Sequence, residues 1–288
     1  MTFDWGRRTY VMGIINVTPD SFSGDGLATG GEDLAQRITA QAARFVAEGV
    51  DILDIGGEST RPGSMPVTAE EELARVIPAV RVARAAAPTA AISVDTYRAD
   101  VAEAALDAGA DWVNDVWGLR MDPRMAGLVA ARDCPVVIMH NRSKPKDVAQ
   151  EERLGGRYVG VHYGDLLGDV ATELGQQVAL GLAAGIRPEQ IIIDPGLGFG
   201  KTVEQNLELI DRLGELKALG YPILIGPSRK STIGYVLDLP PDQRVEGTAA
   251  AVALGIDRGA DIVRVHDVAA MVRVARMTDA IVRRSAAQ

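Results

Sequence analysis

The feature that most constrains the fold is an alternation of short apolar runs with longer helical patterns along the whole chain. Eight runs are almost continuously apolar, as strands buried on both faces must be: Tyr10–Ile15, Val50–Ile55, Ala91–Val94, Trp112–Val116, Val136–Met139, Ile191–Ile193, Ile223–Ile225 and Ile262–Val265. Between them, apolar residues three or four positions apart predict helices, among them Glu32–Glu48, Glu70–Ala86, Val203–Leu219 and Gly247–Arg258. Eight strand–helix units without a break in composition favour one α/β domain over residues 1–288, a (β/α)8 TIM barrel, and an open doubly wound sheet is the alternative.

Charge and cysteine content exclude several classes of protein. Lys and Arg number 30 against 39 Asp and Glu, a net charge of -9, whereas a general nucleic-acid binder carries a basic face. The single cysteine, Cys134, excludes an intramolecular disulfide, and its apolar surroundings predict a buried, unreactive thiol. No window approaches the roughly 18 apolar residues of a membrane span, and the first residues do not resemble a signal peptide. We therefore expect a soluble cytoplasmic protein that binds neither nucleic acid nor membrane.

Residues with functional chemistry cluster where the predicted strands end. The eight segments run from Asn16 to Ser23, Gly56 to Gly63, Asp95 to Thr96, Asn114 to Asp115, His140 to Asn141, Asp194 to Lys201, Ser228 to Ser231, and Arg264 to Asp267. In a barrel the carboxyl ends of all strands open on one face, where ligands bind, so these segments should converge. Three aspartates, Asp51, Asp111 and Asp261, instead precede strands and follow glycine-containing helix ends, which predicts structural turns at the opposite face.

Acidic and amide groups at the strand ends suit a flat heterocycle with adjacent N–H donors. Asp95, Asn114 and Asp194 would be buried if they point into the barrel, and buried Asp is rare unless it is paired. A carboxylate can accept two parallel hydrogen bonds from an amidine-like edge, as it does from Arg. For Asp194 the alternative is a turn cap. The segment GLGFGK lacks the spacer and the final Ser or Thr of a Walker motif, so it does not predict a phosphate loop.

Basic residues on the same face indicate an anion. Arg229 and Lys230 follow the seventh strand, and barrels commonly bind phosphate after strands seven and eight. Arg264 and His266 are two residues apart at the end of the eighth strand, so both should face the same side. A surface ion pair between Arg264 and Asp267 is the alternative.

The first two loops also carry residues with both a binding and a structural interpretation. The amide oxygen of Asn16 can bind a hard cation, or it can cap its own turn. Arg61, which follows Gly56 and Gly57, can contact an anion or a carboxylate, or it can be solvated.

Taken in order, the segments NVTPDSFS, DIGGESTRPG, SVDT, NDV, DPGLGFGK, SRKS and RVHDV resemble those of the dihydropteroate synthase family, from Gly13 to about Val274. The resemblance implies a TIM-barrel transferase that condenses 6-hydroxymethyl-7,8-dihydropterin diphosphate with 4-aminobenzoate. Diphosphate would leave with Mg2+ assistance through a cation-like pterin methylene, forming 7,8-dihydropteroate for folate synthesis. Sulfonamides would compete with 4-aminobenzoate, and the outer helices would form a homodimer.

The resemblance also implies roles for single residues. Asn16 would contact the metal and the diphosphate, and Arg264 and His266 would bind the diphosphate. The pterin would be held by Asp95, Asn114, Asp194 and Lys230 between the apolar walls Met139 and Phe199. The 4-aminobenzoate pocket would be formed by Phe22, Thr60, Arg61, Pro62 and Ser231. Catalysis would involve Asp95, Lys230 and Arg61. The first loop reads Ser23-Gly24-Asp25-Gly26 where the family often has SDGG, so Asp25 takes a substrate-binding role by position only. The long segment Asn141–Gly156 has no implied role.

Two other functions are compatible with parts of this pattern. A methyltetrahydrofolate-binding methyltransferase shares the pterin Asp and Asn but should lack the SRKS and RVHDV segments. A non-catalytic pterin-binding barrel should have lost Asn16, Arg61, Lys230 or Arg264, and all four are present.

Overall fold

The strands form a parallel sheet that closes on itself. A computed structural model describes residues 3–18, 31–59, 67–144 and 147–284. Its strands are β1 (Tyr10–Asn16), β2 (Ile52–Gly56), β3 (Ala91–Asp95), β4 (Trp112–Asp115), β5 (Val136–Met139), β6 (Val148–Ala149), β7 (Arg157–Tyr158), β8 (Ile191–Asp194), β9 (Leu224–Ile225) and β10 (Ile262–Val265). Eight follow the order β8-β5-β4-β3-β2-β1-β10-β9, a parallel bridge from Ile193 to Ile223 joins the two ends, and β6 pairs separately with β7. This closure confirms the predicted TIM barrel and excludes the open sheet.

Helices alternate with the barrel strands. They are α1 (Gly31–Glu48), α2 (Ala69–Ala86), α3 (Ala99–Asp107), α4 (Met125–Arg132), α5 (Leu166–Ala183), α6 (Val203–Asp211), α7 (Ser231–Leu237), α8 (Val245–Asp257) and α9 (Val268–Val282). The predicted helix Val203–Leu219 is wrong as one continuous element, because α6 ends at Asp211 and a 3-10 helix covers Leu213–Leu219. Gly214 lies within that stretch, and glycine disfavours an α-helix by about 1 kcal/mol relative to alanine.

The barrel interior is filled with apolar side chains at its amino-terminal end. Phe3 and Trp5 close this end, and Phe3 packs edge-on against both Tyr10 and Trp112. A larger apolar layer, which includes Phe45 and many other buried side chains, fills the space between strands and helices. The space that polar groups can occupy inside the barrel therefore lies above this apolar end, toward the carboxyl ends of the strands.

The three aspartates that precede strands are structural, as predicted. Asp51 accepts the Val11 amide at 2.9 Å, and Asp111 accepts the Ile92 amide at 2.8 Å. Asp261 likewise accepts the amide of Ile223 at 3.1 Å. Each carboxylate ties the start of its own strand to a neighbouring segment, so this face is built for stability.

Two further predictions concern burial. Cys134 is buried, and burial raises the pKa of its thiol to about 11, which makes it unreactive as expected. Within the described ranges, no helix has the length and apolar character that crossing a membrane requires.

Candidate active site

Three barrel strands, β3, β4 and β8, bring polar side chains together at their carboxyl ends. In the sheet register Gly56 of β2 lies beside Asp95 of β3, and Asp95 lies beside Asn114 of β4. Asp194 ends β8 in register with Met139 of β5. Asp95, Asn114 and Asp194 are all buried, so the candidate pterin ligands predicted from separate segments do line one region.

A buried ion-pair cluster forms the centre of this region. Arg264 Nε donates to Asp54 Oδ2 at 2.6 Å, and Arg264 Nη2 donates to Asp95 Oδ2 at 2.6 Å. Asn114 Nδ2 donates to the same Asp54 oxygen at 3.2 Å. Asp267 pairs with Arg229 instead, so the alternative pairing considered for Arg264 is wrong. Asp54 was not identified from the sequence as a site residue, although it holds two residues that were.

The electrostatics of the cluster follow from burial. Desolvation raises the pKa of Asp95 to about 7, with the charge of Arg264 opposing the rise and that of Asp54 adding to it. Desolvation also raises the pKa of Asp194 to about 6, against a hydrogen bond from the Gly196 amide. For Arg264 burial opposes the charged form, but Asp54 and Asp95 raise its pKa, so the guanidinium stays protonated.

Unpaired polar atoms lie within the barrel beside this cluster. Among the described residues, Asp54 Oδ1 and Ser93 Oγ are buried without a hydrogen-bond partner. Asp54 and Ser93 are register neighbours on β2 and β3. Because buried polar atoms are nearly always paired in folded proteins, these two are candidates to accept a polar ligand edge or a water molecule.

Glycines shape the loop that follows Asp194. Asp194 Oδ1 accepts a hydrogen bond from the Gly196 amide at 2.7 Å. One carboxylate oxygen therefore caps the turn, as the alternative interpretation of Asp194 predicted. Gly196, Gly198 and Gly200 have φ values of 71°, 77° and 60°, which L side chains rarely adopt. A Cβ at Gly196 would also clash with the carbonyl of His140. The loop can therefore turn tightly enough to place Phe199 against Met139 and Val116.

Lys201 holds this loop from inside the protein. Its ammonium donates to the carbonyls of Gly196 at 3.0 Å and Phe199 at 3.1 Å, and to His140 Nδ1 at 3.0 Å. His140 Nε2 lies 3.1 Å from Glu173. Burial and the charge of Lys201 lower the pKa of His140 to about 2, so the ring is neutral and Nε2 donates to Glu173. Lys201 was not identified as a site residue, because two of its three partners are backbone carbonyls, which no sequence pattern reveals.

The predicted apolar walls lie together. Met139, Phe199 and Val116 form a buried cluster of their own. Lys230 Nζ is 4.4 Å from the centroid of the Phe199 ring, which stabilises its charge. A side chain at Gly198 would press against the Lys230 stem, so glycine there lets the lysine cross the loop.

His266 is oriented by the turn after β9. Ser228 Oγ accepts the His266 amide at 3.0 Å and lies 2.9 Å from His266 Nδ1. When this hydroxyl donates its own proton to Nδ1, the ring proton resides on Nε2, which becomes a donor for an anion. Ser231, the first residue of α7, is partly buried close by in sequence.

The other predicted residues lie at the rim or outside the described ranges. Asn16 ends β1 beside Gly56 and is partly exposed. Phe22, Asp25, Thr60, Arg61 and Pro62 lie outside the described residues.

Arg98 contacts residues on both sides of the segment 60–66. It donates to Glu58 Oε2 at 2.6 Å and to the Val67 carbonyl at 2.7 Å, and it also pairs with the buried Glu72. Sequence reasoning missed Arg98, since nothing in SVDTYR marks it as a loop anchor.

Comparisons with known proteins cover almost the whole chain. Residues 12–266 match the family described as pterin binding enzymes. The dihydropteroate synthase of a Synechocystis species is 47% identical over 281 residues, which span 97% of this chain and 92% of that protein. The Bacillus subtilis dihydropteroate synthase is 46% identical over 276 residues, covering 96% and 89%.

Solved structures show the same similarity. A dihydropteroate synthase from Clostridium difficile, crystallised in the presence of pteroic acid, has a TM-score of 0.86 at 48% identity and covers 98% of this chain and 100% of that one. The Xanthomonas albilineans dihydropteroate synthase with 4-aminobenzoic acid has a TM-score of 0.84 at 42% identity, covering 95% and 93%.

Proposed function

Because this chain belongs to the dihydropteroate synthase family of pterin-binding enzymes, we propose that it condenses 6-hydroxymethyl-7,8-dihydropterin diphosphate with 4-aminobenzoate. It is a transferase of folate synthesis. The observation that carries the proposal is the convergence of Asp95, Asn114, Asp194 and Arg264 around one buried region, beside an apolar wall and Lys230. This combination suits a flat, polar-edged ring that bears an anionic leaving group.

The pterin would be held at its edge and on its face. Its 2-amino group and adjacent ring N–H form a two-donor edge that matches the ionised carboxylate of Asp194. Met139 and Phe199 offer apolar surface to the ring face. Lys230, close to the Phe199 ring, would donate to an acceptor atom of the pterin.

The diphosphate would be bound by His266, Arg264 and Asn16. A Mg2+ ion would be coordinated mainly by the diphosphate and not by a cluster of protein side chains. In the described part of the chain, no group of three His, Cys, Asp or Glu side chains could hold a metal. Mg2+ commonly binds through one or two protein oxygens plus substrate phosphates, and Asn16 offers one such oxygen at the barrel mouth. When bound, the ion would neutralise charge on the departing diphosphate.

The reaction breaks the bond between the pterin methylene and the diphosphate oxygen and forms a bond from that carbon to the arylamine nitrogen. Ring nitrogens can stabilise positive charge at the methylene, so the C–O bond can break ahead of attack. Ionised Asp95 and Asp194 would favour this cation-like state electrostatically. An arylamine has a free lone pair at neutral pH, so the enzyme needs placement more than a strong base, and one N–H proton is released after attack.

We also propose an order of binding. The pterin ligands Asp95, Asn114 and Asp194 end barrel strands and are already held by hydrogen bonds or ion pairs. Phe22 and Arg61, which the family resemblance implies for 4-aminobenzoate, follow β1 and β2 in the sequence. Bound diphosphate with Mg2+ supplies negative charge that can attract Arg61, so the pterin diphosphate should bind first. A sulfonamide should follow the same rule as 4-aminobenzoate.

An apolar surface supports the proposed homodimer through outer helices. Leu207 of α6, Val236 and Leu237 of α7 and Leu254 of α8 are exposed and line one groove. Contiguous apolar surface of this kind marks interaction sites. Light scattering should give twice the 30.5 kDa mass of one chain, and a monomer at micromolar concentration would contradict the dimer.

The reaction itself provides the test of function. Purified protein with Mg2+, the pterin diphosphate and 4-aminobenzoate should form 7,8-dihydropteroate and diphosphate in equal amounts, measured by chromatography and a coupled diphosphate assay. Omitting 4-aminobenzoate should abolish dihydropteroate formation, and Asp194→Asn is the matched inactive control. Absence of dihydropteroate with the native protein would refute the proposal, and methyl transfer from methyltetrahydrofolate would favour the methyltransferase alternative.

A further inference from the structure

Arg244 is one of the largest fully buried side chains, although it is a cation. It lies just before α8 and is 2% exposed. Its guanidinium donates to three backbone carbonyls, those of Leu154, Arg229 and Leu239, each at 3.0 Å. Within the described ranges no carboxylate forms an ion pair with it. Burial of a cation without a carboxylate partner costs free energy, and the three hydrogen bonds to carbonyls offset part of that cost.

One of these carbonyls belongs to a strained residue of the active-site turn. Arg229 has a φ of 54°, in the left-handed region that non-glycine residues rarely occupy. Its amide donates to Thr248 Oγ1 at 3.1 Å, its carbonyl accepts from Arg244, and its guanidinium contacts Asp267 at 3.0 and 2.6 Å. Such a conformation persists only where the surroundings fix it, and here three separate contacts do so.

The conformation of Arg229 sets the direction of the residues that follow. Lys230 comes next, bonds back to the carbonyl of Pro227 at 3.2 Å and places its ammonium over Phe199. Ser231 then begins α7. We propose that Arg244 is a positioning residue that aims Lys230 and Ser231 at the substrates by holding Arg229; this inference rests on the proposed function.

The segment Asn141–Gly156, which had no implied role, contributes one of the carbonyls that bind Arg244. Its hairpin of β6 and β7 carries Leu154, whose carbonyl accepts the third hydrogen bond. Arg153 forms an ion pair with Asp238 after α7, and the Tyr235 hydroxyl donates to the Gly155 carbonyl at 3.3 Å. The segment therefore packs against α7 and shields the guanidinium from solvent.

Gly234 gives a second way to disturb the same contact. It lies in α7, and an added Cβ would clash with the guanidinium of Arg244. Gly234→Ala thus keeps the charge but displaces it, whereas Arg244→Met removes the donors and keeps most of the apolar stem. Gly127→Ala is the matched control, because Gly127 also lies in a helix and a Cβ there meets nothing.

Kinetics, thermal melting and hydrogen exchange together test the proposal. Arg244→Met and Gly234→Ala should lower kcat/KM by roughly tenfold to hundredfold, the scale expected when a catalytic group is misplaced by about 1 Å. The Arg229 amide should exchange at least about tenfold faster in both variants, while the Val263 amide of β10 keeps its protection. Gly127→Ala should keep the native kcat/KM and the native exchange of the Arg229 amide, and its melting temperature should not fall, because alanine favours a helix over glycine.

The possible outcomes separate this inference from the proposed function. Variants that melt at a lower temperature but keep native kcat, KM and Arg229 exchange would show a merely structural role and overturn the proposal. An inactive native protein would refute the proposed function, and exchange at Arg229 would still decide whether Arg244 holds the turn. If one variant fails to fold cooperatively, the other provides the same measurements. Arg244→Lys, which keeps the charge but has one nitrogen in place of the three that donate, should give an intermediate effect.

Discussion

Replacing Lys201 with methionine should change how the stability of the protein depends on pH. The buried ammonium has three hydrogen-bond partners, His140 and the carbonyls of Gly196 and Phe199. Burial nevertheless lowers its pKa from the ordinary 10.5 to about 7. Unfolding returns the side chain to water and restores the ordinary pKa. Between these two pKa values the unfolded chain therefore binds a proton that the folded protein lacks.

The magnitude follows from this difference in bound protons. One proton changes the free energy of unfolding by about 1.4 kcal/mol per pH unit, and the sign is positive when the unfolded state holds more protons. From about pH 7 to about pH 10 the native protein should therefore gain about 4 kcal/mol relative to Lys201→Met. This contribution is fully present above the unfolded pKa and is lost as the pH falls through about 7. The carbonyls left without a donor add a further loss of about 1–3 kcal/mol each in the variant.

Urea unfolding followed by tryptophan fluorescence at several pH values measures the effect. The difference in unfolding free energy between the native protein and Lys201→Met should widen steadily as the pH rises. Lys217→Met is the matched control for the loss of a lysine side chain, because Lys217 is exposed. Parallel curves for the native protein and Lys201→Met would refute the argument that a buried, destabilised ammonium holds the loop.

Three further predictions concern substrate binding. Since the pKa of Asp194 is raised to about 6, the pterin affinity measured by calorimetry should fall as the pH drops below that value, and Asp194→Asn should bind the pterin weakly at every pH. A pterin affinity of the native protein that does not change with pH would show that this carboxylate does not bind the pterin. Arg264→Ala and His266→Ala should each cost roughly 1.5–3 kcal/mol in binding the pterin diphosphate, and an equal loss for a pterin without diphosphate would show a structural role instead. Arg98→Met should raise KM for 4-aminobenzoate more than KM for the pterin diphosphate, because Arg98 contacts residues on both sides of the segment 60–66, which contains Arg61. Equal changes of the two KM values in steady-state kinetics would contradict this.

The barrel was predictable because its strands are buried on both faces. Predicted and observed strands agree within about two residues, and the deviations at the carboxyl ends have a pattern. The observed β1, β3 and β8 each extend by one polar residue, Asn16, Asp95 and Asp194. An apolar run stops at the first polar side chain, whereas backbone pairing continues past it, as between Asp95 and Gly56. At each of these ends, the residue that was predicted to bind a substrate or the metal is therefore the last residue of a strand.

The pairings inside the site could not be predicted in the same way. Arg264 pairs with Asp54, 210 positions earlier, whereas sequence proximity suggested Asp267. Lys201 and Arg244 are buried cations whose partners are mostly backbone carbonyls, and every residue type presents a carbonyl. Only the folded chain brings these oxygens to one point, so the sequence contains no pattern that marks them.

The position of Arg264 also connects the two halves of the proposed substrate. A guanidinium has five N–H donors, and Asp54 and Asp95 engage only one on Nε and one on Nη2. The remaining donors can contact a diphosphate while both carboxylates stay in place. When the bond to the methylene breaks, the diphosphate, still bound, gains negative charge while the pterin gains positive charge. Arg264 would stabilise the first charge and its partners Asp54 and Asp95 the second, so one buried ion-pair cluster can act on both sides of the breaking bond.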